Sequence, residues 1–156
     1  MLEQCKELRL ENVISLRKRI PQNEIRDEMN KLRLFINDNA LKKTGPIVTA
    51  TFSIDTSNSQ PVLDMEIIIP VDKSVDSIGD YCFKKAFHIV NAVYEQHKGD
   101  PSLLQNTYNK MISYIHENNL QQITAAYNVN VNELQPGQSI DDIMVDVYIG
   151  VNPSVL

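Results

Sequence analysis

The sequence predicts an α+β domain: a tandem βαββ repeat with pseudo-twofold symmetry, whose antiparallel strands form a curved sheet with two helices on one face. Three observations carry this. Ile143–Val151 and Leu63–Val71 both alternate, with every odd-numbered residue apolar and an acid, Asp146 or Glu66, midway along the even-numbered side. Two stretches carry apolar stripes at helical spacing, Ile25-Met29-Leu32-Ile36 and Leu104-Tyr108-Met111-Ile115. Each member of the second stripe follows its counterpart by 79 residues (104 less 25, 108 less 29, 111 less 32, 115 less 36), and such a period marks a repeated unit.

Leu8–Ile20 reads as a strand with a break near Glu11-Asn12, ended by Pro21. The period then changes to that of a helix, from Gln22 to about Ala40, and Gly45-Pro46 breaks the chain. Ile47–Ile54 alternates again with Val48, Ala50, Phe52 and Ile54 in phase, and Asp55–Pro61 supplies a polar turn before the Glu66 strand. After the polar connector Asp72–Asp80 the pattern restarts. Tyr81–Phe87 and Ala92–His97 read as strand with a break around Val90-Asn91, and Gly99-Asp100-Pro101 opens the second helix, with Asp100 or Ser102 as N-cap and Pro101 in its first turn. The 79-residue offset also aligns Leu10 with Ile89, Asn12 with Asn91, Ile14 with Val93, and residues 36–41 with 115–120. Glu66 and Asp146 differ by 80 (146 less 66), so the second hairpin, with its Gln135-Pro136-Gly137 turn, takes one extra residue. Repeat one covers about 6–72 and repeat two about 81–153, together one domain spanning 1–156.

At 156 residues and 42% hydrophobic, such a domain buries a core without metals or disulfides. No apolar run reaches bilayer length and the first residues lack the oily core of a signal peptide, so a cytoplasmic protein with no membrane partner is expected. A net charge of -5 and a pI near 5.1 argue against a nucleic-acid face. Arg17-Lys18-Arg19, the only basic run, reads as ordinary surface. Cys5 and Cys82 form no CxxC and read as reduced packing residues. His88, His97 and His116 are scattered and read as surface or locally hydrogen-bonded groups; Asp76, Asp80, Asp141 and Asp142 lack the oxygen spacing of a calcium loop. No metal, cofactor or catalytic residue is expected.

Helix against sheet buries the odd-numbered residues of the two acid-bearing strands and leaves their even-numbered residues on the opposite face. In a pseudo-symmetric pair Glu66 and Asp146 approach the axis from either side, with Asp64, Ile68, Met144 and Tyr148 around them. That mixture suits a small-molecule cleft; solvated acids on an exposed sheet face are the plainer alternative.

Three segments resemble the gyrase-inhibitor-like or effector-binding domain family, the small-molecule-binding half of some MerR- and AraC-type regulators. Ala92-Val93-Tyr94-Glu95-Gln96-His97-Lys98-Gly99 is similar to the family's strand running into a basic-Gly turn. Asp146-Val147-Tyr148-Ile149-Gly150-Val151 is similar to its last strand, and Glu66-Ile67-Ile68-Ile69-Pro70-Val71 keeps the pattern better, with proline in place. The resemblance implies that Asp146 projects into a central cleft and neutralises cationic, often aromatic, ligands. Three departures stand out: Asp for the commoner Glu, Gly150 for Pro, and no Trp, which leaves Tyr148, Tyr94 and Tyr127 as aromatic walls. No helix-turn-helix is present, so a complete transcription factor is not expected. The chain also resembles a stand-alone Firmicute branch of that family found near type VII secretion genes. The expected function is a non-enzymatic small-molecule-binding domain; the alternatives are an accessory or adaptor of a bacterial secretion or toxin system holding a protein or peptide, and, third, a small hydrolase using paired acids and Tyr.

Overall fold

Strands and helices follow one another as β1 (Glu3–Pro21), α1 (Ile25–Asp38), β2 (Val48–Asp55), β3 (Val62–Pro70), β4 (Tyr81–Lys98), α2 (Leu104–Glu117), β5 (Gln122–Asn130) and β6 (Met144–Val151) in the computed structural model, which describes residues 2–132 and 137–154. The chain is α+β, and it divides into two compact units, one of residues 10–87 and one of residues 1–9 with 88–156.

In the 10–87 unit β3 is the middle strand, antiparallel to β1 and to β2, with Ile67 opposite Leu16 on one side and Thr49 on the other. Odd-numbered residues of β3 meet the apolar stripe of α1: Met65, Ile67 and Ile69 join Ile14, Leu16, Ile20, Leu32 and Ile36 in one cluster. The other unit is built alike. Its middle strand β6 is antiparallel to β4 and β5, and Val145, Val147, Ile149 and Val151 pack with Val93 against Met111 and Ile115 of α2. Each fully buried side chain of this size contributes about 1.5–3 kcal/mol.

Both helices end in the same motif. Ala40 takes a left-handed φ of 54°, its N–H donates to Asn37 O, and the Leu41 N–H donates back to Ile36 O. Asn119, also at φ 54°, donates to His116 O, and Leu120 to Ile115 O. The two bonds satisfy carbonyls that the helix end leaves open, and the buried Leu41 seals the turn. An alanine in this region is strained by about 1–2 kcal/mol where glycine is not. Ala40→Gly should therefore raise the urea midpoint, by roughly 1 kcal/mol in stability after glycine's larger unfolded-state entropy is subtracted; an unchanged or lower midpoint would contradict this account of the turn.

Each helix is also fastened to its neighbouring strand by a polar bridge. Lys18 Nζ of β1 lies 2.9 Å from Glu28 Oε1 of α1. In the other unit the ring of His97 on β4 meets Thr107 Oγ1 of α2 at 2.8 Å, with its second nitrogen 2.9 Å from Asp100 O.

The structure departs from the sequence reading in five places. β4 runs unbroken through Val90-Asn91 because Val90 is simply exposed and nothing there stops a strand. Ile54 does not share the face of Val48 and Ala50: Phe52 is an extra residue between the Thr51–Met65 and Ser53–Asp64 pairs, and this bulge turns Ile54 out into solvent. Cys5 and Cys82 are exposed free thiols, not packing residues. β1 runs unbroken through Glu11-Asn12, with Asn12 at a left-handed φ of 52°. Asp100 caps the short 3-10 turn Pro101–Leu103, accepting from the Ser102 N–H, and α2 starts only at Leu104. The Gln135-Pro136-Gly137 turn falls in part outside the described residues.

Candidate binding face

The even-numbered residues of β3 and β6 lie on the faces turned away from the helices, as the period of a strand requires. In the 10–87 unit this places Glu66 in register with Arg17 on β1 and Ala50 on β2. Glu66 is only 5% exposed. Ser15 Oγ donates to its Oε2 at 2.6 Å and Lys84 Nζ reaches the same oxygen at 3.2 Å, so the buried charge is compensated. Asp64 takes two bonds from Arg17, at 3.1 and 3.2 Å, and the same guanidinium lies 3.5 Å over the Phe52 ring. The Arg17 hydrogen bond, helped by the charges of Arg17 and Arg19, holds the Asp64 carboxyl below its ordinary value against the opposing effect of burial. Ile68 is fully buried.

On β6 the half-buried Asp146 accepts from two neutral donors on one oxygen, Oδ1: the Tyr94 hydroxyl at 2.8 Å and Gln96 Nε2 at 2.9 Å. Tyr148 stands in register between Tyr94 on β4 and Tyr127 on β5, which makes a row of three aromatic residues across the unit. The Tyr94 and Tyr148 rings pack with centroids 5.1 Å apart at a tilt of 49°, a favourable geometry for an aromatic pair. Tyr127 is buried. Met144 is half-buried and its N–H donates to Asn132 Oδ1 at 2.9 Å. The corresponding row in the 10–87 unit is Ser15-Ile68-Val48, which holds no aromatic residue.

Asp146, Tyr148 and Met144 thus share one face of one unit, and Asp64, Glu66 and Ile68 one face of the other. Ser15, Lys84, Arg17 and Gln96 were not singled out from the sequence. Gln96 and Arg17 follow from register, lying opposite Asp146 and Glu66; Lys84 could not be read, because it reaches Glu66 from β4, whereas β3 pairs with β1 and β2.

Burial pushes the Tyr94 phenol far above its ordinary value, reinforced by its hydrogen bond to Asp146 and by that carboxylate's charge. Tyr148 is also raised, by burial first and then by Asp146. A phenol whose folded value is raised adds stability that is complete below the unfolded value, about pH 10, and that is lost as pH rises through the folded one. Tyrosinate absorbance should therefore appear late on alkaline titration. Asp146→Asn should bring one of the late phenols earlier; a titration curve identical to that of the parent protein would contradict the Tyr94–Asp146 bond.

His88 Nε2 lies 2.8 Å from Glu7 Oε2, and His116 sits in the last turn of α2. Among the described residues no group of three or more His, Cys, Asp or Glu is placed to hold a metal ion, and no helix is long and apolar enough to cross a membrane.

No family model matches the chain, and no curated protein matches it. Solved structures do. The crystal structure of the EcmrR C-terminal domain is similar with a TM-score of 0.71 and 19% identity, over 97% of this chain and 96% of that one. EcmrR in complex with DNA gives 0.74 and 18%, and there the chain covers 97% of itself but spans only 56% of the EcmrR chain. SAV2435 bound to tetraphenylphosphonium gives 0.54 and 11% over 98% and 93% of the two chains, and a hydrolase from Listeria innocua 0.59 and 9% over 95% and 92%. At these identities the likeness is one of fold.

Proposed function

We propose that this chain is a ligand-binding domain of the effector-binding kind, formed by two βαββ repeats of about 6–72 and 81–153 related by a pseudo-twofold, and that it takes a cationic or amphipathic small molecule. Asp146 supplies the negative charge, Tyr148 with Tyr94 the aromatic wall and Met144 the surroundings; Glu66, Asp64 and Ile68 take the corresponding places in the other repeat. One observation carries the reading. Both donors on Asp146 are neutral, a phenol and an amide, so the carboxylate keeps its charge beside an aromatic pair, the combination that attracts an organic cation. Glu66 already holds the Lys84 ammonium and is the lesser attractor.

Two further facts favour this reading. The fold is shared with SAV2435, which was solved bound to tetraphenylphosphonium, and with the C-terminal domain of EcmrR. The repeat is favoured by the shared strand order, the two helix-end turns and the two strand-to-helix bridges, which differ by the same 79 residues (97 less 18, 107 less 28). The domain is read as non-enzymatic.

Thermal shift with tetraphenylphosphonium tests it. Ligand at 100 times its Kd should stabilise by about 2.7 kcal/mol, and Asp146→Asn or Tyr148→Ala should remove most of that gain. A shift equal in Asp146→Asn and parent protein would place the cation elsewhere. No shift with any organic cation, together with recovery of one protein partner, would favour the adaptor reading instead.

A further inference from the structure

A cavity lies between β1, α1 and the turn before β4, among residues of the 10–87 unit. It has a volume of about 340 Å³, large enough for a small organic molecule. Its floor is apolar: Leu16 of β1 and the Phe35 and Tyr81 rings, whose centroids are 4.7 Å apart. Its rim is made by a tight turn in which Ile78 and Tyr81 exchange both backbone hydrogen bonds at 3.0 Å, with Gly79 at a φ of 58° that a side chain would strain. The turn presents Asp80 beside Tyr81 and leaves Ile78 55% exposed at the mouth.

The wall is Glu28, 7% exposed although it sits on a helix surface. Lys18 Nζ at 2.9 Å and Lys31 Nζ at 3.8 Å both approach the same oxygen, Oε1, which leaves Oε2 to a further donor. Lys31 is the looser partner: its side chain is 65% exposed and its distance exceeds that of a hydrogen bond. The lining carries two acids, Glu28 and Asp80, and two lysines, Lys18 and Lys31, of which Lys31 is held more loosely. The Tyr81 phenol stands above its ordinary value, from burial first, then from the Glu28 charge, which outweighs Lys18, with Asp80 adding to it.

We propose that this cavity is a binding site for a small aryl- or alkylammonium compound, its ammonium seated on Glu28 and Asp80 in place of the Lys31 head group and its apolar body on the Phe35–Tyr81 pair. The site is independent of Asp146. A carboxylate ligand would meet Lys18 and Lys31 but face two acids across the cavity; the observations favour the cation.

The probe is phenethylammonium, with 3-phenylpropanoate as the isostere of opposite charge, followed by proton NMR of the aromatic side chains and by calorimetry. Phenethylammonium should shift the Phe35 and Tyr81 ring signals. Its affinity, read from the Phe35 and Tyr81 signals, should fall about fivefold or more in Asp80→Asn and in Glu28→Gln and rise in Lys31→Met. Glu28→Gln is read only if its circular dichroism matches the parent; otherwise Asp80→Asn and Lys31→Met carry the test. Tighter binding of 3-phenylpropanoate, unmoved Phe35 and Tyr81 signals, or indifference to Asp80→Asn and Lys31→Met would each overturn the proposal, as would an absence of binding at millimolar probe. Failure here leaves the Asp146 reading standing, because that reading predicts the reverse pattern of variants.

Discussion

Gly150→Pro is expected to destabilise the protein by about 2–4 kcal/mol, although proline is the residue that the family pattern carries there and that β3 carries at Pro70. The Gly150 N–H donates to Thr124 Oγ1 at 2.8 Å, and proline has no N–H to give; loss of such a bond costs about 0.5–1.5 kcal/mol. A Cβ at Gly150 would stand 2.7 Å from Thr124 Cγ2, 3.0 Å from Thr124 Oγ1 and 3.1 Å from Ile89 Cγ2, and overpacking of this kind costs roughly 1–3 kcal/mol. Urea unfolding should show Gly150→Ala paying only the second cost, and less of it in a Thr124→Ala background, where two of the three blocking atoms are gone. Equal stability of Gly150→Pro and parent protein would mean that Thr124 is not held where the structure has it.

Leu32→Ala should cost about 2–5 kcal/mol, the range for emptying a leucine site in a close-packed core. Leu32 is 0% exposed and packs among Ile14, Leu16, Ile67 and Ile69. Met111→Ala on α2, also 0% exposed, should cost a comparable amount among Val93, Val147 and Ile149. Neighbouring Leu34 is 60% exposed, and Leu34→Ala should change the urea midpoint little. A Leu34 variant as damaging as Leu32→Ala would assign the buried stripe to the wrong side of α1.

Legibility in the sequence followed regularity. The stripes of α1 and α2 and the odd-numbered residues of β3 and β6 were readable because period alone decides which side meets a core. Strand pairing was harder. The Phe52 bulge adds one residue, and this reverses the face of Ile54 with no glycine or proline to announce it. Buried polar groups were least readable. Glu28 lies three residues after Ile25 and four before Leu32, squarely on the helix stripe, so its position marked it as buried, but its Lys18 partner depends on where α1 docks. The Asp146 surroundings were half legible. Tyr94, Tyr127 and Tyr148 could be named as aromatic candidates, but their alignment in one row follows from the registers of β4 and β5 against β6.

The two strand-to-helix bridges differ in how they answer to the solution. Lys18–Glu28 joins opposite full charges, the lysine side chain 35% exposed, whereas His97 meets a hydroxyl and a carbonyl. Added salt weakens attraction between charges that solvent reaches and leaves short hydrogen bonds between neutral acceptors and donors almost untouched. A second ion pair, Lys110 Nζ of α2 to Glu95 Oε2 of β4 at 3.0 Å, answers to salt as Lys18–Glu28 does, so between dilute and molar salt amide hydrogen exchange should quicken along both helices, and least around Thr107, where His97 holds α2.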